Sequence, residues 1–348
     1  MAADIKSELT AIRETAGIFP LDDRAFLRIT GEDATRWLNG MVTNSIQSLA
    51  PGEGNYNFLL NAQGRIQGDC TIYREHGWPT SGDPRFLLET DASQIETIEQ
   101  LLDKFIIMDD VELSRALFLF GESVPPDTLK GLALTGPKAR EILAKVMSEK
   151  FYEFLLIDPP EPSSFVLGTH GGKTPSFILT PPGRPDIFEI WSSTPDLEDA
   201  RSEFRKLGAV ELSSETLEAF RIFSGTPRYG TDIRDKDLPQ ETNQTHALHF
   251  TKGCYLGQEI VERIHSRGQV HRTFTGFRLT ALPATLPAPL TSDGKPAGEI
   301  TSAAVVHLPE GDAVLALGYA RREVLDRNTP LSYEGGTAIP AALPFTPS

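Results

Sequence analysis

Residue types that could do chemistry crowd into one stretch, Lys252-Gly253-Cys254-Tyr255-Leu256-Gly257-Gln258-Glu259-Ile260-Val261-Glu262-Arg263. Its nucleophile is Cys254. The thiolate, not the thiol, attacks, binds metals and exchanges disulfides. Ile260, Val261 and Ile264 recur at helical spacing up to Gly268, so the positive end of a helix dipole should follow Cys254. Lys252 adds an ammonium two residues away. Both effects would draw a thiol from its free pKa of roughly 8.5 toward neutrality. The same spacing fits a plainer role. Gly253 and Gly257 permit a tight turn, and free cysteine is among the most buried residue types.

Three roles are open to Cys254: metal or cluster ligand, redox thiol, or turn residue. His246, His249, His265 and His271 surround it. His246-x-x-His249 supplies half of a tetrahedral zinc site, and no second pair completes it. A stable iron–sulfur cluster takes four ligands, which one cysteine cannot provide, so no resident metal is expected. Transient or shared ligation stays open. Gly172-Lys173-Thr174 ends like a phosphate-binding loop, but Leu167 stands where that motif needs glycine, and Pro175 would break its helix. There is no G-x-S-x-G to anchor serine-hydrolase chemistry.

Lys252 to Glu259 reads K-G-C-[FY]-x-G-Q-E, and Arg263, Arg267 and Gly268 continue it. This resembles the signature of the YgfZ family, folate-binding relatives of the glycine-cleavage T-protein (an aminomethyltransferase) linked to iron–sulfur cluster maintenance. Further blocks resemble that superfamily in the same order along the chain. They are Gly31-Glu32-Asp33-Ala34 with Thr43-Asn44, Asn61-Ala62-Gln63-Gly64-Arg65, Thr135-Gly136-Pro137-Lys138-Ala139-Arg140, Arg221 through Gly230, and Gly298-Glu299-Ile300-Thr301-Ser302.

The resemblance implies an α+β, T-protein-like fold: two duplicated α+β units around a central channel for tetrahydrofolate, plus a C-terminal antiparallel β-barrel. It implies that Glu189 contacts the pterin and that Arg221, with Arg228 and Tyr229, lies on the ligand side. Lys252 and Cys254 would act at the channel mouth. A carboxylate can accept two of the pterin's hydrogen bonds, and an arginine fork holds a carboxylate bidentately. The residues themselves leave other roles open. Glu189, within Ile187-Phe188-Glu189-Ile190-Trp191, would be outward-facing if the strand were half exposed. Arg221 could be an exposed helix residue or pair with Glu218. The T-protein pattern places two adjacent acids where this chain has Gly68-Asp69. An ungapped register puts the loss at the acid credited with the transfer chemistry. Glycine supplies no titrating group, so Asp69 remains as the candidate and aminomethyl transfer becomes the alternative function. A folate-free protein-binding scaffold is a third. Iron–sulfur client proteins are the implied partners.

Composition sets the outer limits. The chain has 348 residues, with 48 acids against 33 bases and a formal charge of −15. An acidic surface repels phosphate backbones, so nucleic acid is not the expected partner. Two cysteines, Cys70 and Cys254, argue for a reducing compartment rather than a disulfide framework. No apolar run reaches the roughly 20 residues of a membrane span, and the N-terminus lacks the apolar core of a signal peptide. A cytoplasmic monomer is the expectation.

Periodicity places these residues on elements. Residues 5–16 read as a helix. Phe26 to Ile29 reads as a strand, and Thr30-Gly31-Glu32-Asp33 opens a helix bearing Ala34, Trp37 and Leu38. Asn55 to Leu60 and Arg65 to Tyr73 read as strands around a turn at Asn61-Ala62-Gln63-Gly64. Within the second strand, Cys70 shares a face with Ile66 and Ile72 and reads as core. Phe86 to Glu89 is a strand, followed by an amphipathic helix from Asp91 to Phe105. A second unit repeats the first. Leu132 to Ala139 copies Leu27 to Ala34 as apolar-x-apolar-Thr-Gly-x-x-Ala, and the strand–helix of Phe86 to Phe105 recurs at Phe188 to Leu207. Two matches at nearly one offset indicate an internal duplication, with a cleft on the pseudo-twofold axis. Ser213 to Ser224 reads as a helix with a serine cap. From His271 the chain breaks into short strands typical of a barrel. The expected divisions are 1–125, 126–270 and 271–348.

Overall fold

The computed structural model describes residues 4–75, 84–119, 122–125, 128–146, 164–170, 174–181, 187–268, 270–309, 311–327 and 330–346. Gly172 and Lys173 of the rejected phosphate loop lie outside them. Thr174 opens a strand (β11, Thr174–Thr180) paired antiparallel with β10 (Ser164–His170), so no helix begins there.

The first unit is a five-stranded sheet in the order β3-β4-β5-β2-β6. Its strands are β2 (Arg24–Thr30), β3 (Gly54–Leu60), β4 (Ile66–Arg74), β5 (Arg85–Asp91) and β6 (Glu112–Ser114). Helices α2 (Ala34–Met41) and α3 (Ile95–Asp103) cover one face. There Trp37, Leu38, Ile98 and Leu102 bury against Leu27, Ile29, Ile72 and Leu88, with Cys70 among them.

The second unit repeats this plan. Strands β9 (Leu129–Thr135), β10, β11 and β12 (Ile187–Ser193) run in the order β10-β11-β12-β9. Helices α4 (Ala139–Val146) and α5 (Thr194–Lys206) bury Ile142, Leu143, Leu197 and Phe204 against Leu134, Phe188 and Ile190. The repeat extends to backbone conformation. Gly31 and Gly136 have φ of 123° and 113°, a region that L-residues avoid. Added β-carbons would lie 2.0 Å from the Asp110 carbonyl oxygen and 2.8 Å from that of Thr15. The alanines three residues on, Ala34 and Ala139, are wholly buried.

At the N-terminus the structure departs from the expected 1–125 division. β1 (Gly17–Pro20) pairs antiparallel with β9 and parallel with β13 (Val210–Glu211), so it lies in the second sheet. Helix α1 (Ile5–Glu14) buries Leu9 and Ile12 against the C-terminal domain and Ile222 of α6 (Ser214–Phe223). The chain enters the first unit only at β2. The reason is the sheet ladder: the main-chain groups of β1 find partners on β9 and β13.

The uncovered faces of the two sheets meet. Phe26, Tyr73 and Leu87 of the first pack on Ala133, Phe177, Leu179 and Trp191 of the second. The C-terminal domain is a closed six-stranded antiparallel barrel, β14-β17-β16-β15-β18-β19. It comprises β14 (Arg272–Leu279), β15 (Ala288–Ser292), β16 (Lys295–Leu308), β17 (Gly311–Arg321), β18 (Leu331–Tyr333) and β19 (Gly336–Ala341). Among the described residues no helix is long and apolar enough to cross a membrane.

Candidate functional site

Strand alternation sorts β4 into two faces. Cys70 and Ile72 point to the helices of the first unit. So does position 68: a β-carbon on Gly68 would lie 3.1 Å from Ile98 Cγ1 and 3.3 Å from Gln94 Oε1. Asp69 and Tyr73 take the other face, toward the second sheet. An acid at position 68 would therefore point into the core, and its loss removes nothing from the inter-sheet face. That corrects the expectation drawn from Gly68, since the acid on the inter-sheet face is Asp69 and it is present.

Asp69 is held on both oxygens. Tyr56 on β3 donates its hydroxyl to Oδ2 at 2.6 Å, and Gln94 Nε2 donates to Oδ1 at 2.8 Å. Gln94 Oε1 also accepts the Asp69 main-chain N–H at 3.1 Å. Burial raises the Asp69 carboxyl above its ordinary pKa, against the opposing pull of Tyr56 and Gln94. Tyr229, from the loop after α6, stands within the field of Asp69. Its phenol is pushed up to about 12 by burial, and Asp69 adds to the rise.

The next groups along the interface are Arg24, Glu89, Tyr73 and Glu189. Arg24 Nε donates to Glu89 at 2.8 Å, and Tyr73 donates its hydroxyl to the same carboxylate at 3.3 Å. Glu189 is 7% exposed, opposite Ala133 and Leu179 in the ladder. Its strand is buried on both faces, so the outward-facing alternative fails. Phe188 and Ile190 enter the core of the second unit, while Glu189 looks toward the first sheet. Burial would lower the Arg24 pKa, but Glu89 and then Glu189 together raise it. Asp69 and Glu189 thus share one cation's field.

Arg221 is placed differently. Its guanidinium grips Glu218 bidentately (3.0 and 2.6 Å), reaches Asp232 at 2.6 Å and the Thr226 carbonyl at 2.8 Å, and donates to Ser302 at 2.8 Å. Every nitrogen of the fork has a protein acceptor. Asp232 is fully buried and also accepts Arg228 N–H and the hydroxyls of Thr301 and Ser302 on β16. The exposed Arg228 side chain returns to Glu218 at 2.9 Å. These contacts tie the 225–232 loop to α6 and the barrel. A second buried aspartate, Asp237, five residues further on, accepts from Arg272 at 2.5 Å, and its carbonyl accepts Ile66 N–H, joining barrel and first sheet.

The Lys252–Glu259 stretch packs on the first unit through Phe58, Leu60 and Ile66. Lys252 Nζ donates to the carbonyls of Val42 and Asn44, each at 2.6 Å, and lies 4.9 Å from the centre of the Tyr255 ring. Val42 is the C-cap of α2, where free carbonyls favour a cation. The ammonium expected to act on Cys254 is therefore engaged elsewhere. Helix α7 (Gln258–Arg267) begins four residues after Cys254, and the left-handed turn falls at Gly257 (φ 81°), packed on Asn61. Cys254 is exposed. The histidines do not converge. His246 lies against Tyr56 and His265 stacks on Phe250 at 3.8 Å. Among the described residues no cluster of three or more metal-ligating side chains forms.

Residues 1–155 match the family of the GCVT N-terminal domain. The aminomethyltransferase of Synechocystis sp. is 25% identical, with 95% of this chain and 84% of the relative covered. The mitochondrial iron-sulfur cluster assembly factor IBA57 homolog of Aspergillus fumigatus is 30% identical over 76% of this chain and 58% of its own length. Its counterpart in Aspergillus clavatus is 29% identical over 87% and 65%. The glycine cleavage system aminomethyltransferase T of Bartonella henselae shares the fold, with a TM-score of 0.76 over 98% of this chain and 89% of that one, at 20% identity. The chain is thus similar both to aminomethyltransferases and to the fungal cluster assembly factors. Its fold is T-protein-like, as expected.

In this T-protein-like chain the expected site residues fall in three places. Asp69 and Glu189 border the interface between the sheets, with Tyr229 in the field of Asp69 and packed on the cluster of Phe58, Leu60 and Ile66. Arg221 and Arg228 form the latch on Glu218. Lys252 and Cys254 lie against the end of α2. Tyr56, Gln94, Arg24, Glu89 and Tyr73 complete the first group and had no motif to announce them. The only signal was a polar residue on the face of a strand whose other face is apolar.

Proposed function

We propose that this chain binds tetrahydrofolate between its two α+β units and uses it in the assembly or repair of iron–sulfur enzymes. The observation that carries this reading is Asp69, a carboxylate oriented on both oxygens and turned toward the second sheet. Such a group suits the amino and amide donors of a pterin, and Glu189 offers a second acceptor across the interface. Leu87, Phe177 and Leu179, buried at the same interface, make its surroundings apolar. The arginine latch fits the glutamate tail poorly, because Arg221 has no free edge. Tetrahydrofolate would supply a one-carbon carrier; the protein's part is to orient it and exclude water.

The cluster-assembly role draws support from the fungal relatives' names. Cys254 is exposed, and it is the group accessible to a client or a transient cluster. Both cysteines are free, which suits a reducing compartment such as the cytoplasm. The fungal relatives are named mitochondrial, so a matrix location fits the same chemistry.

One observation favours aminomethyl transfer as a second reading. The inter-sheet face keeps its acid, and burial holds that acid above the ordinary carboxylate value, so it can carry a proton to a bound amine. Anaerobic titration of tetrahydrofolate into wild type, Asp69→Asn and Cys254→Ser separates the two. Binding by wild type and Cys254→Ser, weakened in Asp69→Asn, with no methylene-tetrahydrofolate on adding an aminomethyl donor, supports the accessory role. Turnover lost in Asp69→Asn supports the transferase. No binding by wild type overturns both.

A further inference from the structure

A cavity of about 370 Å³ lies beside the charged network but is not lined by Asp69, Glu189, Tyr229, Arg221 or Cys254. Arg24, Arg115 and Lys130 line it, with Asp22 as its one acid and Phe26 and Trp191 among its apolar walls. Glu89 and Glu99 each offset one of these cations, so the pull on an anion comes from Lys130 and from the edge of Arg24 that Glu89 does not engage. Among the described residues Lys130 makes no ion pair and Arg115 pairs only with Glu99. Arg24 engages one nitrogen, Nε, with Glu89. The side chain is 28% exposed, and among the described residues its two terminal nitrogens have no acceptor. A forked, charged, solvent-reachable edge is the geometry that takes a carboxylate bidentately.

The walls select the rest of the ligand. Phe26 and Trp191 meet edge to face at 4.7 Å, and Trp191 stacks in parallel on Phe177 at 6.1 Å. Rings locked in this way present a rigid apolar surface to a flat ring. The volume lies within the range of small-molecule sites, roughly 300–1,000 Å³.

We infer that this cavity binds an aromatic carboxylate, its ring against Phe26 and Trp191 and its charge on Arg24 and Lys130. Two sources share that chemistry: a free aromatic acid, or the benzoyl-glutamate arm of a folate seated in the neighbouring cleft. Only the second source rests on the folate reading.

The test follows the Trp191 indole N–H by ¹⁵N-edited NMR, assigned with Trp191→Phe, in the full-length protein. Benzoate is titrated beside uncharged benzamide and ringless acetate. Benzoate should shift the Trp191 signal saturably, and acetate and benzamide should bind at least about tenfold more weakly. Lys130→Glu should weaken benzoate at least about tenfold and leave benzamide unchanged. Trp191 signals that do not move with benzoate, or equal responses to benzoate and benzamide, overturn the proposal. So does an unaltered benzoate affinity in Lys130→Glu. Tetrahydrofolate then separates the sources. Displacement of benzoate identifies the folate arm as occupant, and simultaneous binding identifies a free acid. Failure of tetrahydrofolate to bind at all, with benzoate bound, refutes the folate reading and leaves the cavity standing.

Discussion

Gln94 holds Asp69 twice, accepting its main-chain N–H at 3.1 Å and donating to its carboxylate at 2.8 Å. One side chain at the start of α3 therefore fixes both the strand position and the rotamer of the acid. Gln94 is itself buried, so it has no third state to relax into. Gln94→Ala should leave the fold intact, lower stability by about 1–3 kcal/mol, and weaken tetrahydrofolate as Asp69→Asn does. Urea denaturation and calorimetry on the same preparation check both halves. A stability loss with unchanged affinity would make Gln94 purely structural.

Asp69 predicts a pH dependence. Its folded carboxyl keeps its proton above the ordinary value, whereas the unfolded chain releases it near pH ~3.9. Between those points the folded state binds more protons, so stability falls as pH rises through the window. Asp69→Asn has no such proton to lose. Wild type should therefore lose stability relative to Asp69→Asn as pH is raised from about 4 to about 6. Parallel melting temperatures across that range would contradict the raised pKa.

Lys252 gives the opposite slope. Burial lowers its ammonium to about 7, and the unfolded chain holds the proton to about 10.4. Above neutrality the unfolded state binds more protons, and stability should rise with pH in wild type relative to Lys252→Met. The comparison runs from pH about 7 to about 9 by denaturant midpoint. A flat difference would mean that the carbonyls of Val42 and Asn44 keep the ammonium charged.

The two glycines around Cys254 should behave unlike each other. A β-carbon on Gly257 would require φ near 81° and would lie 2.6 Å from the Asn61 carbonyl oxygen, while one on Gly253 meets nothing nearer than Asn39 at 4.0 Å. Gly257→Ala should cost about 2 kcal/mol or more, and Gly253→Ala under about 0.5 kcal/mol. Thermal melts of the pair decide it.

Arg221→Ala removes the charge facing Asp232, which is fully buried. Loss of one partner from a buried pair costs about 3–5 kcal/mol. The remaining donors to Asp232 place this case near the lower figure. Tetrahydrofolate affinity of the folded fraction should stay within about threefold. A tenfold loss with full stability would return Arg221 to the ligand.

Much of this was legible in the sequence because local rules and tertiary structure agree. The Thr-Gly-x-x-Ala repeat reads as a duplication because both glycines meet the same steric demand, a positive φ beside another backbone. The face occupied by Cys70 followed from strand alternation alone. What stayed hidden depends on sheet-to-sheet packing. Arg24 and Glu89 are distant in sequence and ordinary in type, and only the ladder makes them neighbours. The pairing of Arg221 with Glu218 was open to spacing, three residues apart on one helix, but its further acceptors Asp232 and Ser302 come from a loop and a barrel strand. β1 carries four residues ending in proline, too few for a periodic signal.

β1 also sets a schedule for synthesis. Gly17 and Ile18 leave the ribosome early, yet their partners are Thr135 and Leu134 on one side and Val210 and Glu211 on the other. The segment must wait, unpaired, while the whole first unit is made. Closing so distant a contact is slow, and an unpaired edge is open to wrong pairing meanwhile. The first unit has its own sheet without β1 and is free to fold during that interval. An N-terminal truncation would thus spare the unit it appears to shorten and cripple the one encoded a hundred residues later.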